Sequence, residues 1–336
     1  MSNTLRFGLV GAGGIAQAYS QAIQQMPNAK LVAVADINLE AAAKMADDHQ
    51  AASFSSIKQM QAETDLDAVI VCTPPLFHPE QCCDLLNAGI NVLCEKPLSI
   101  DSDSALKMFH AAKTNNAVFT MASKFRFVED VNQAKQFIDE GLLGEIILYE
   151  NCFTGKVDMS QRWNSNPEIS GGGVLIDNGT HSLDIMRYLV GALSEIRVVE
   201  GKRIQKLPVE DTVHVFVRSE SGVMGSIDLS WSLQKPLPHF ISIYGTNGTL
   251  NLGWRESSYK LNDDQDWTVF GNGYDKIGAF KNQLLNFCGA INGTEELIIT
   301  PSDGVASVYT VEAAYAAMQQ SSWEPVKFDE RSLMAK

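Results

Sequence analysis

Short apolar runs alternate with amphipathic stretches from the start of the chain to residue 122. The apolar runs predict six buried strands, at residues 6–10, 31–35, 51–54, 68–71, 91–94 and 118–122. Helical periodicity lies between them, for example at 39–48, 79–87 and 102–115, where Asp101 or Ser102 is a suitable N-cap. Apolar strands that alternate with helices are typical of a parallel sheet covered on both faces.

The pattern changes after residue 122. One helix is predicted at 130–140, and strands with period-two alternation follow at 145–153, 196–203, 212–218, 223–231 and 239–244. Asn247-Gly248 marks a tight turn before a strand at 249–252, and two late helices are predicted at 279–291 and 303–320. We therefore expect an α/β domain over residues 1–122 and an α+β domain with a mainly antiparallel open sheet over residues 123–336.

A glycine-rich turn, Gly11-Ala12-Gly13-Gly14-Ile15-Ala16, follows the first strand and matches the pattern G-x-G-x-x-A. Gly11 permits the tight turn, Gly13 lets the backbone approach a pyrophosphate, and the next helix directs free N–H groups at the phosphates. Asp36 ends the second strand, where a carboxylate bonds a ribose 2′-hydroxyl and repels a 2′-phosphate. The pattern predicts a Rossmann domain that binds NAD, although a glycine turn also occurs in other doubly wound proteins. The predicted contacts are Gly11, Gly13, Gly14, Ile15, Asp36 and Ile37.

The composition limits the binding partners and the cellular compartment that we expect for this protein. The formal net charge is −14, so the surface repels nucleic-acid phosphates and anionic lipid. No segment reaches the ~18 apolar residues that span a bilayer, and the first strand begins too early for a signal peptide, so we expect a cytoplasmic protein. None of the six cysteines forms a C-x-x-C pair, and we expect neither a structural metal nor disulfides.

Candidate chemistry follows two of the predicted parallel strands, because ligands bind beyond the carboxyl ends of such strands. One strand ends in Thr73-Pro74-Pro75 with His78 close behind, and the next ends in Glu95-Lys96-Pro97. The Lys96 ammonium can donate both to a substrate hydroxyl and to the cofactor ribose, although a solvated lysine at a strand end is an equal alternative. We predict that the Lys96–Pro97 peptide bond is cis, since the chain must turn sharply there and aim the lysine into a cleft.

A third segment, beginning at Gly171-Gly172-Gly173, has a helical pattern with one apolar face and one polar stripe. The apolar face comprises Leu175, Ile176, Leu183, Ile185, Met186 and Leu189, and the stripe comprises Asp177, His181, Asp184 and Tyr188. A carboxylate beside an imidazole suits acid–base chemistry near neutral pH, and the glycines are expected to let a ligand approach closely. A histidine held in a local structural pair is the equal alternative.

Further candidates lie where a cleft between the domains is expected. Arg126, between two phenylalanines, and Trp163, after Arg162, are a cation and an indole that suit a polyhydroxylated ring. Such residues commonly have packing roles, and packing is therefore the alternative to substrate binding here. The predicted substrate contacts are Lys96, Arg126, Trp163, Asp177, Asn178 and His181.

Taken together, these motifs resemble the Gfo/Idh/MocA oxidoreductases over nearly the whole chain. The resemblance rests on the Gly11 turn, Thr73-Pro74 with His78, Glu95-Lys96-Pro97, Asp177-x-x-x-His181 and the Gly245–Thr249 turn. It implies that Lys96, Asp177 and His181 are catalytic, and that Thr73, Pro74, His78, Glu95 and Lys96 belong to the cofactor site. It also implies that no metal takes part. Pro75 stands where the family usually has asparagine, which leaves the contact at this turn in doubt.

The resulting expectation is an NAD-dependent dehydrogenase that acts on a secondary alcohol of a sugar or cyclitol and forms a homodimer or homotetramer. One alternative is a dehydrogenase of nucleotide sugars, for which Lys156, Arg162 and Arg187 offer cations toward a diphosphate. Another is a dinucleotide-sensing regulator without turnover. The presence of Lys96, Asp177 and His181 together argues against the regulator.

Overall fold

The structure, a computed structural model, describes residues 4–329 and residue 333. The chain forms two compact units, and each is described by itself. The first comprises residues up to Phe127 together with Lys276–Val305, and the second comprises Val128–Asp275 and residues from Ala306 onward. The sequence had suggested a single boundary after residue 122, so the return of residues 276–305 to the first unit is the main difference.

The first unit contains a six-stranded parallel sheet with strand order β3-β2-β1-β4-β5-β6. Its strands are β1 (Leu5–Val10), β2 (Ala29–Ala35), β3 (Ala52–Phe54), β4 (Ala68–Val71), β5 (Asn91–Glu95) and β6 (Phe119–Ala122). Its first five helices are α1 (Gly14–Gln24), α2 (Leu39–Asp47), α3 (Ile57–Glu63), α4 (His78–Asn87) and α5 (Ser102–Asn115). All six predicted strands are confirmed, and so is the Asp101 cap, which accepts from the Ser104 N–H at 2.8 Å. Helix α3 lies between β3 and β4, where helical periodicity is expected but no bounds are predicted.

The second unit contains a nine-stranded sheet with strand order β14-β13-β12-β11-β7-β10-β9-β8-β15. The strands are β7 (Ile146–Thr154), β8 (Leu193–Glu200), β9 (Thr212–Ser219), β10 (Met224–Ser230), β11 (His239–Gly245), β12 (Gly248–Gly253), β13 (Ser257–Leu261), β14 (Thr268–Gly271) and β15 (Glu324–Pro325). The helices are α6 (Glu129–Asp139), α7 (Pro167–Ser170) and α8 (Val174–Val190). Neighbouring strands are antiparallel except β7 and β10, so the prediction of a mainly antiparallel sheet is confirmed.

The last two helices are α9 (Lys276–Ile291) and α10 (Pro301–Gln320). Helix α9 explains why the chain returns to the first unit. Its Phe280, Leu284 and Phe287 are buried in the same core cluster as Phe7 and Tyr19 of the parallel-sheet unit. The rings of Tyr19 and Phe280 meet edge to face with centroids 4.6 Å apart. Burial of these side chains, at about 1.5–3 kcal/mol each, holds the segment on the first unit.

Helix α8 covers one face of the second sheet. On β9, Val215 and Val217 are 0% and 2% exposed, and a side chain at Gly225 of β10 would collide with Met186 of α8. On the opposite face Phe216 is 41% and Met224 51% exposed. The alternation predicted for these strands is therefore present, with an apolar contribution to both faces.

No helix within the described residues is both long and apolar enough to cross a membrane. Across residues 4–329 no cluster of histidine, cysteine and carboxylate side chains has an arrangement that could hold a metal ion. All six cysteines are free thiols.

Candidate functional site

The glycine turn follows β1 as predicted, and each of its glycines has a separate physical reason. Gly11 has φ +89°, and a Cβ there would lie 2.9 Å from the carbonyl carbon of Cys72 at the end of β4. A Cβ at Gly13 or Gly14 would meet no atom within 4 Å. Gly11 therefore serves the turn itself, whereas Gly13 and Gly14 leave an open surface at the start of α1.

The N-terminus of α1 has the properties of an anion site. Gly13 caps the helix without a side-chain hydrogen bond, and no acidic residue lies in the first turn. The first N–H groups of a helix lack intrahelical partners and carry the positive end of its dipole. Ile15, in that turn, is half-buried and packs on the core below. The open glycines and this helix start fit a dinucleotide pyrophosphate.

Asp36 lies at the same turn. Its carboxylate accepts a hydrogen bond from the Ala12 N–H at 2.6 Å and another from the Asn38 N–H at 2.7 Å. These two bonds fix the carboxylate beside the glycine turn, where an acid recognises ribose hydroxyls. Ile37 beside it is 98% exposed and presents an apolar surface next to that acid.

His78 occupies a position different from the one that the sequence suggested. Its ring is fully buried, with Nε2 2.7 Å from the Thr73 carbonyl oxygen and Nδ1 3.0 Å from that of Pro97. Burial lowers its pKa, and the carbonyl contacts oppose that shift. The ring thus connects the turn after β4 to the turn after β5 and presents no surface to a cofactor. Thr73 and Pro74 are half-buried, and the Thr73 hydroxyl donates to Gln81 at 2.6 Å.

Glu95 ends β5, and Lys96 follows it. Glu95 is 7% exposed and accepts from the Tyr19 hydroxyl at 2.8 Å and from the Lys96 N–H at 3.1 Å. Burial raises the pKa of Glu95, while the charges of Lys96 and Lys124 oppose the rise. Lys96 is half-buried, and its bond to Pro97 is cis, which confirms that prediction. Glu95 is therefore a buried acid beside the lysine rather than an exposed cofactor contact.

Arg126 lies in the first unit and is 3% exposed. Its guanidinium contacts the Ile298 carbonyl oxygen and the Asp303 carboxylate, each at 3.5 Å. Ile298 and Asp303 belong to the segment that returns to this unit. The arginine predicted to bind substrate thus serves this internal contact.

The acid–histidine pair lies on α8 in the second unit. Asp177 is in the first turn and half-buried, and His181 one turn later is 7% exposed. The six apolar positions predicted to form a buried face are all buried. Asp184 of the polar stripe is also fully buried. Asp177 is therefore the more accessible member of the pair, and His181 is largely removed from water.

Glu210 holds the start of α8 and was missed in the sequence. Its Oε1 accepts from the N–H groups of Gly173 and Leu175, at 2.9 and 3.0 Å, and its carbonyl oxygen accepts from Val174. The Tyr315 hydroxyl donates to the same Oε1 at 2.8 Å. Glu210 is 3% exposed, and this burial raises its pKa. The carboxylate binds the otherwise unpaired N–H groups of the helix that carries Asp177.

The glycines before α8 make room for this arrangement rather than for a ligand. Side chains at Gly172 and Gly173 would collide with the Tyr315 hydroxyl and the Glu210 carbonyl oxygen, respectively, and Gly171 has φ +78°. Glu210 and Tyr315 lie 105 positions apart, so no local spacing in the sequence identifies them as partners.

Two further predicted contacts lie in the second unit. Asn178 follows Asp177, is half-buried, and its side chain donates to the Phe153 carbonyl oxygen at 3.4 Å. Trp163 is 42% exposed in a short 3₁₀ turn, Trp163–Ser165. Its indole presents an aromatic surface to solvent.

Comparison with known proteins identifies the family. Residues 5–123 match the oxidoreductase family's NAD-binding Rossmann fold, and residues 135–328 match its C-terminal alpha/beta domain. The chain belongs to the Gfo/Idh/MocA oxidoreductase family. NAD is accordingly its cofactor, in agreement with the open glycine turn and Asp36.

Similar proteins include the D-glucoside 3-dehydrogenase of Escherichia coli (strain K12), 30% identical over 268 residues that cover 78% of this chain and 72% of that protein. The inositol 2-dehydrogenase of Rhizobium meliloti (strain 1021) is 26% identical over 94% of this chain and 98% of its own length. A solved levoglucosan dehydrogenase in complex with NADH superposes with a TM-score of 0.90, at 24% identity, over 97% of this chain and 100% of that one. At that identity the superposition establishes the fold.

Proposed function

We propose that this member of the family is a dehydrogenase that oxidises a secondary alcohol of a sugar or cyclitol with NAD⁺. The observation that carries the proposal is the joint presence of Lys96 at the end of β5 and the Asp177–His181 pair at the start of α8. The names of the inositol and glucoside dehydrogenases support the class of substrate.

NAD⁺, when bound, supplies the hydride acceptor. Gly13, Gly14 and the first N–H groups of α1 bind its pyrophosphate, and Asp36 binds the adenosine ribose. In this proposal Ile37 packs against the adenine, since its side chain is 98% exposed beside Asp36. Thr73 and Pro74 contribute the wall of the cofactor site after β4.

Three side chains carry out the chemistry on the substrate. The Lys96 ammonium donates to the carbinol oxygen and stabilises the negative charge that develops on it. His181 accepts the hydroxyl proton, and Asp177 orients the imidazole and stabilises its cation. Trp163 and Asn178 contact the remaining hydroxyls or C–H face of the ring.

The buried partners of these residues act on their positions. Glu95, beneath Lys96, accepts from the Lys96 N–H, and His78 connects the turn before α4 to Pro97. Glu210 binds the N–H groups at the start of the helix that carries Asp177.

A turnover screen tests the proposal. NADH absorbance at 340 nm is followed with NAD⁺ and free inositols, hexoses, pentoses, glycosides and nucleotide sugars. Sustained NADH formation with a neutral sugar or cyclitol is expected. Turnover confined to nucleotide sugars selects the alternative dehydrogenase, and NADH binding without turnover on any of these compounds selects the sensor.

We also propose that the protein is a homo-oligomer, a dimer or tetramer, built on the face of the second sheet that α8 leaves open. Phe216 and Met224, both about half exposed, lie on neighbouring strands of that face. The surrounding strands contribute charges of both signs, for example Arg218 with Glu195 at 2.6 Å. A mixed surface of this kind can pair with its own copy about a twofold axis.

A further inference from the structure

An open cavity of about 680 Å³ lies where strands β11 to β14 form one end of the second sheet. By strand register its Asn251 lies on the same face of the sheet as Phe216. Trp254 in its wall lies 6.1 Å, centroid to centroid, from Phe153, whose carbonyl oxygen accepts from Asn178. We call it the indole cavity; its lining includes His239, Asn251, Trp254, Arg255, Glu256 and Trp267. Small-molecule sites commonly have volumes of about 300–1,000 Å³, apolar walls and a few placed polar groups.

Two tryptophans of the cavity are exposed. Trp254 is 41% and Trp267 46% exposed, whereas Trp231 of the same unit is 3% exposed. Leaving an indole half in water forgoes much of the free energy that its burial supplies. Two exposed indoles at one cavity offer an aromatic surface, and a pyranose ring can pack its C–H faces on such a surface.

The Trp254 ring is held from behind. Its centroid lies 4.8 Å from that of Phe240 and 5.8 Å from that of Tyr274, which meets it nearly edge on. Phe240 itself stacks on Phe153 at 5.8 Å. The indole is therefore fixed on one side by a buried aromatic cluster and exposed on the other.

The backbone around Trp254 is fixed as well. Its N–H donates to the Pro238 carbonyl oxygen at 3.1 Å, and its carbonyl accepts from the Tyr274 N–H at 3.3 Å. Gly273 has φ +83°, and a Cβ there would lie 2.5 Å from the Arg255 carbonyl carbon. Two tight backbone contacts thus place Trp254 and Arg255 without help from a ligand, and such preorganisation lowers the entropic cost of binding.

The polar lining favours a neutral ligand. Arg255 and Glu256 contribute one charge of each sign, which is too little positive charge for a diphosphate. The Asn251 amide accepts from the Ser242 hydroxyl at 2.7 Å, so its orientation is set. Burial lowers the pKa of His239, so its neutral ring both donates and accepts hydrogen bonds near pH 7. Mixed donors and acceptors of this kind match hydroxyl groups.

We propose that the indole cavity is a binding site for a neutral saccharide, stacked on Trp254 and Trp267 and hydrogen-bonded by Asn251, Arg255 and His239. Binding there requires no turnover, so it stands whether or not the chain oxidises sugars. If the proposed dehydrogenase activity holds, the cavity extends the substrate class toward glycosides and oligosaccharides.

Fluorine NMR of the full chain labelled with 5-fluorotryptophan tests this site directly. The five tryptophans give five signals, assigned by single substitutions. Methyl glucosides, maltose and cellobiose are titrated, with uridine diphosphate as the anionic probe. The neutral saccharides are expected to shift the Trp254 and Trp267 signals with a common dissociation constant and to leave Trp323, a 40% exposed indole outside the cavity, unchanged.

Calorimetry on variants completes the test. Trp267→Ala and Arg255→Ala are expected to weaken saccharide binding about tenfold, while Trp323→Ala leaves it unchanged. Trp267→Ala and Arg255→Ala test saccharide binding even if Trp254→Ala fails to fold. Shifts of the Trp163 signal alone, binding of uridine diphosphate alone, or equal affinity in Trp267→Ala and the wild type would overturn the proposal. A fall in the mass of an oligomer on Trp267→Ala, without saccharide binding, would assign the cavity to a second copy of the chain.

The readouts separate this site from the proposed reaction. His181→Ala is expected to lower the rate of NADH formation by ~10²-fold or more and to keep the saccharide shifts of Trp254 and Trp267. An enzyme that oxidises sugars but shows no such shifts contradicts the cavity assignment and leaves the dehydrogenase proposal intact.

Discussion

At the scale of single residues, the structure separates side chains that can meet a ligand from side chains that hold others in place. Lys96, Asp177 and Asn178 are half-buried, whereas His78, Glu95 and Arg126 are at least nine-tenths buried and bonded internally. All six were candidates from the sequence, because residue type and motif position do not reveal burial. Substitutions are therefore expected to change chemistry in the first group and at His181, which is 7% exposed but lies one turn after Asp177 on α8.

We expect Lys96→Ala and His181→Ala each to lower kcat by ~10²-fold or more, the usual scale for loss of a charge-stabilising or acid–base group. Steady-state kinetics with the substrate found in the screen measures the effect. Circular dichroism and the matched variant His110→Ala, on helix α5, control for folding. Wild-type kcat in either variant would remove that residue from the mechanism.

The wild-type protein is expected to prefer NAD⁺ over NADP⁺ in kcat/KM. The Asp36 carboxylate, fixed by the N–H groups of Ala12 and Asn38, repels a 2′-phosphate, and the adjoining Ile37 and Asn38 provide no cation. Asp36→Ala should reduce the preference about tenfold, the scale of one charge-assisted hydrogen bond. Kinetics with both cofactors decides the point, and a higher kcat/KM with NADP⁺ would contradict it.

At the scale of elements, helix α8 depends on a partner remote in sequence. The glycines at 171–173 and the acid–histidine spacing could be read from the chain, and the helix and its buried face were predicted correctly. The reason for the glycines could not be read from the sequence, because Glu210 and Tyr315 meet them only in the folded unit. Strand β14 also escaped prediction, because none of its four residues is buried and neither an apolar run nor a clear alternation marks it.

We expect Gly173→Ala to destabilise the second unit by about 1–3 kcal/mol, because the new methyl group collides with the Glu210 carbonyl oxygen. Differential scanning calorimetry should show a lower Tm. Gly155→Ala is the matched control, since its Cβ would meet only a Val157 methyl group at 3.9 Å. An unchanged Tm in Gly173→Ala would mean that the start of α8 is less tightly packed than described.

The buried Glu210 gives α8 a pH dependence. Burial raises the pKa of this carboxyl in the folded state above its unfolded value. Its contribution to stability is therefore present below the unfolded pKa, near 4.5, and is lost as pH rises through the folded pKa. Glu210→Gln keeps an oxygen acceptor for the N–H groups of Gly173 and Leu175 and removes the ionisation.

The Tm of Glu210→Gln relative to the wild type should accordingly rise as pH increases from 4.5 toward 8. The comparison is made by calorimetry in buffers of constant ionic strength. Tyr315→Phe removes a donor that lowers the pKa of Glu210, so its Tm relative to the wild type should fall as pH rises. A constant difference between Glu210→Gln and the wild type across this range would show that Glu210 titrates as it does when unfolded.

At the scale of the whole molecule, the two compact units are not consecutive along the chain. Residues 276–305 return to the first unit because Phe280 and Leu284 of α9 complete its core. The amphipathic pattern of that helix was visible in the sequence, but a pattern shows that a face is buried and not against which unit. The family resemblance supplied the order of the motifs, while the assignment of this segment required the structure.

The chain is expected to assemble through the open face of the second sheet. Phe216 and Met224 leave apolar surface exposed there, and Val199 on the neighbouring edge of the sheet is 49% exposed. A solvent-exposed sheet face with such side chains gains free energy when a second copy covers it.

Light scattering at micromolar concentration should give a multiple of the 36.8 kDa chain mass. Phe216→Asp combined with Met224→Asp should shift the mass toward one chain, because paired copies would bury the new carboxylates. The control is Leu39→Asp, a 49% exposed position on α2 of the first unit. A wild-type mass near one chain, or an oligomer indifferent to the double substitution, would exclude this face as the interface.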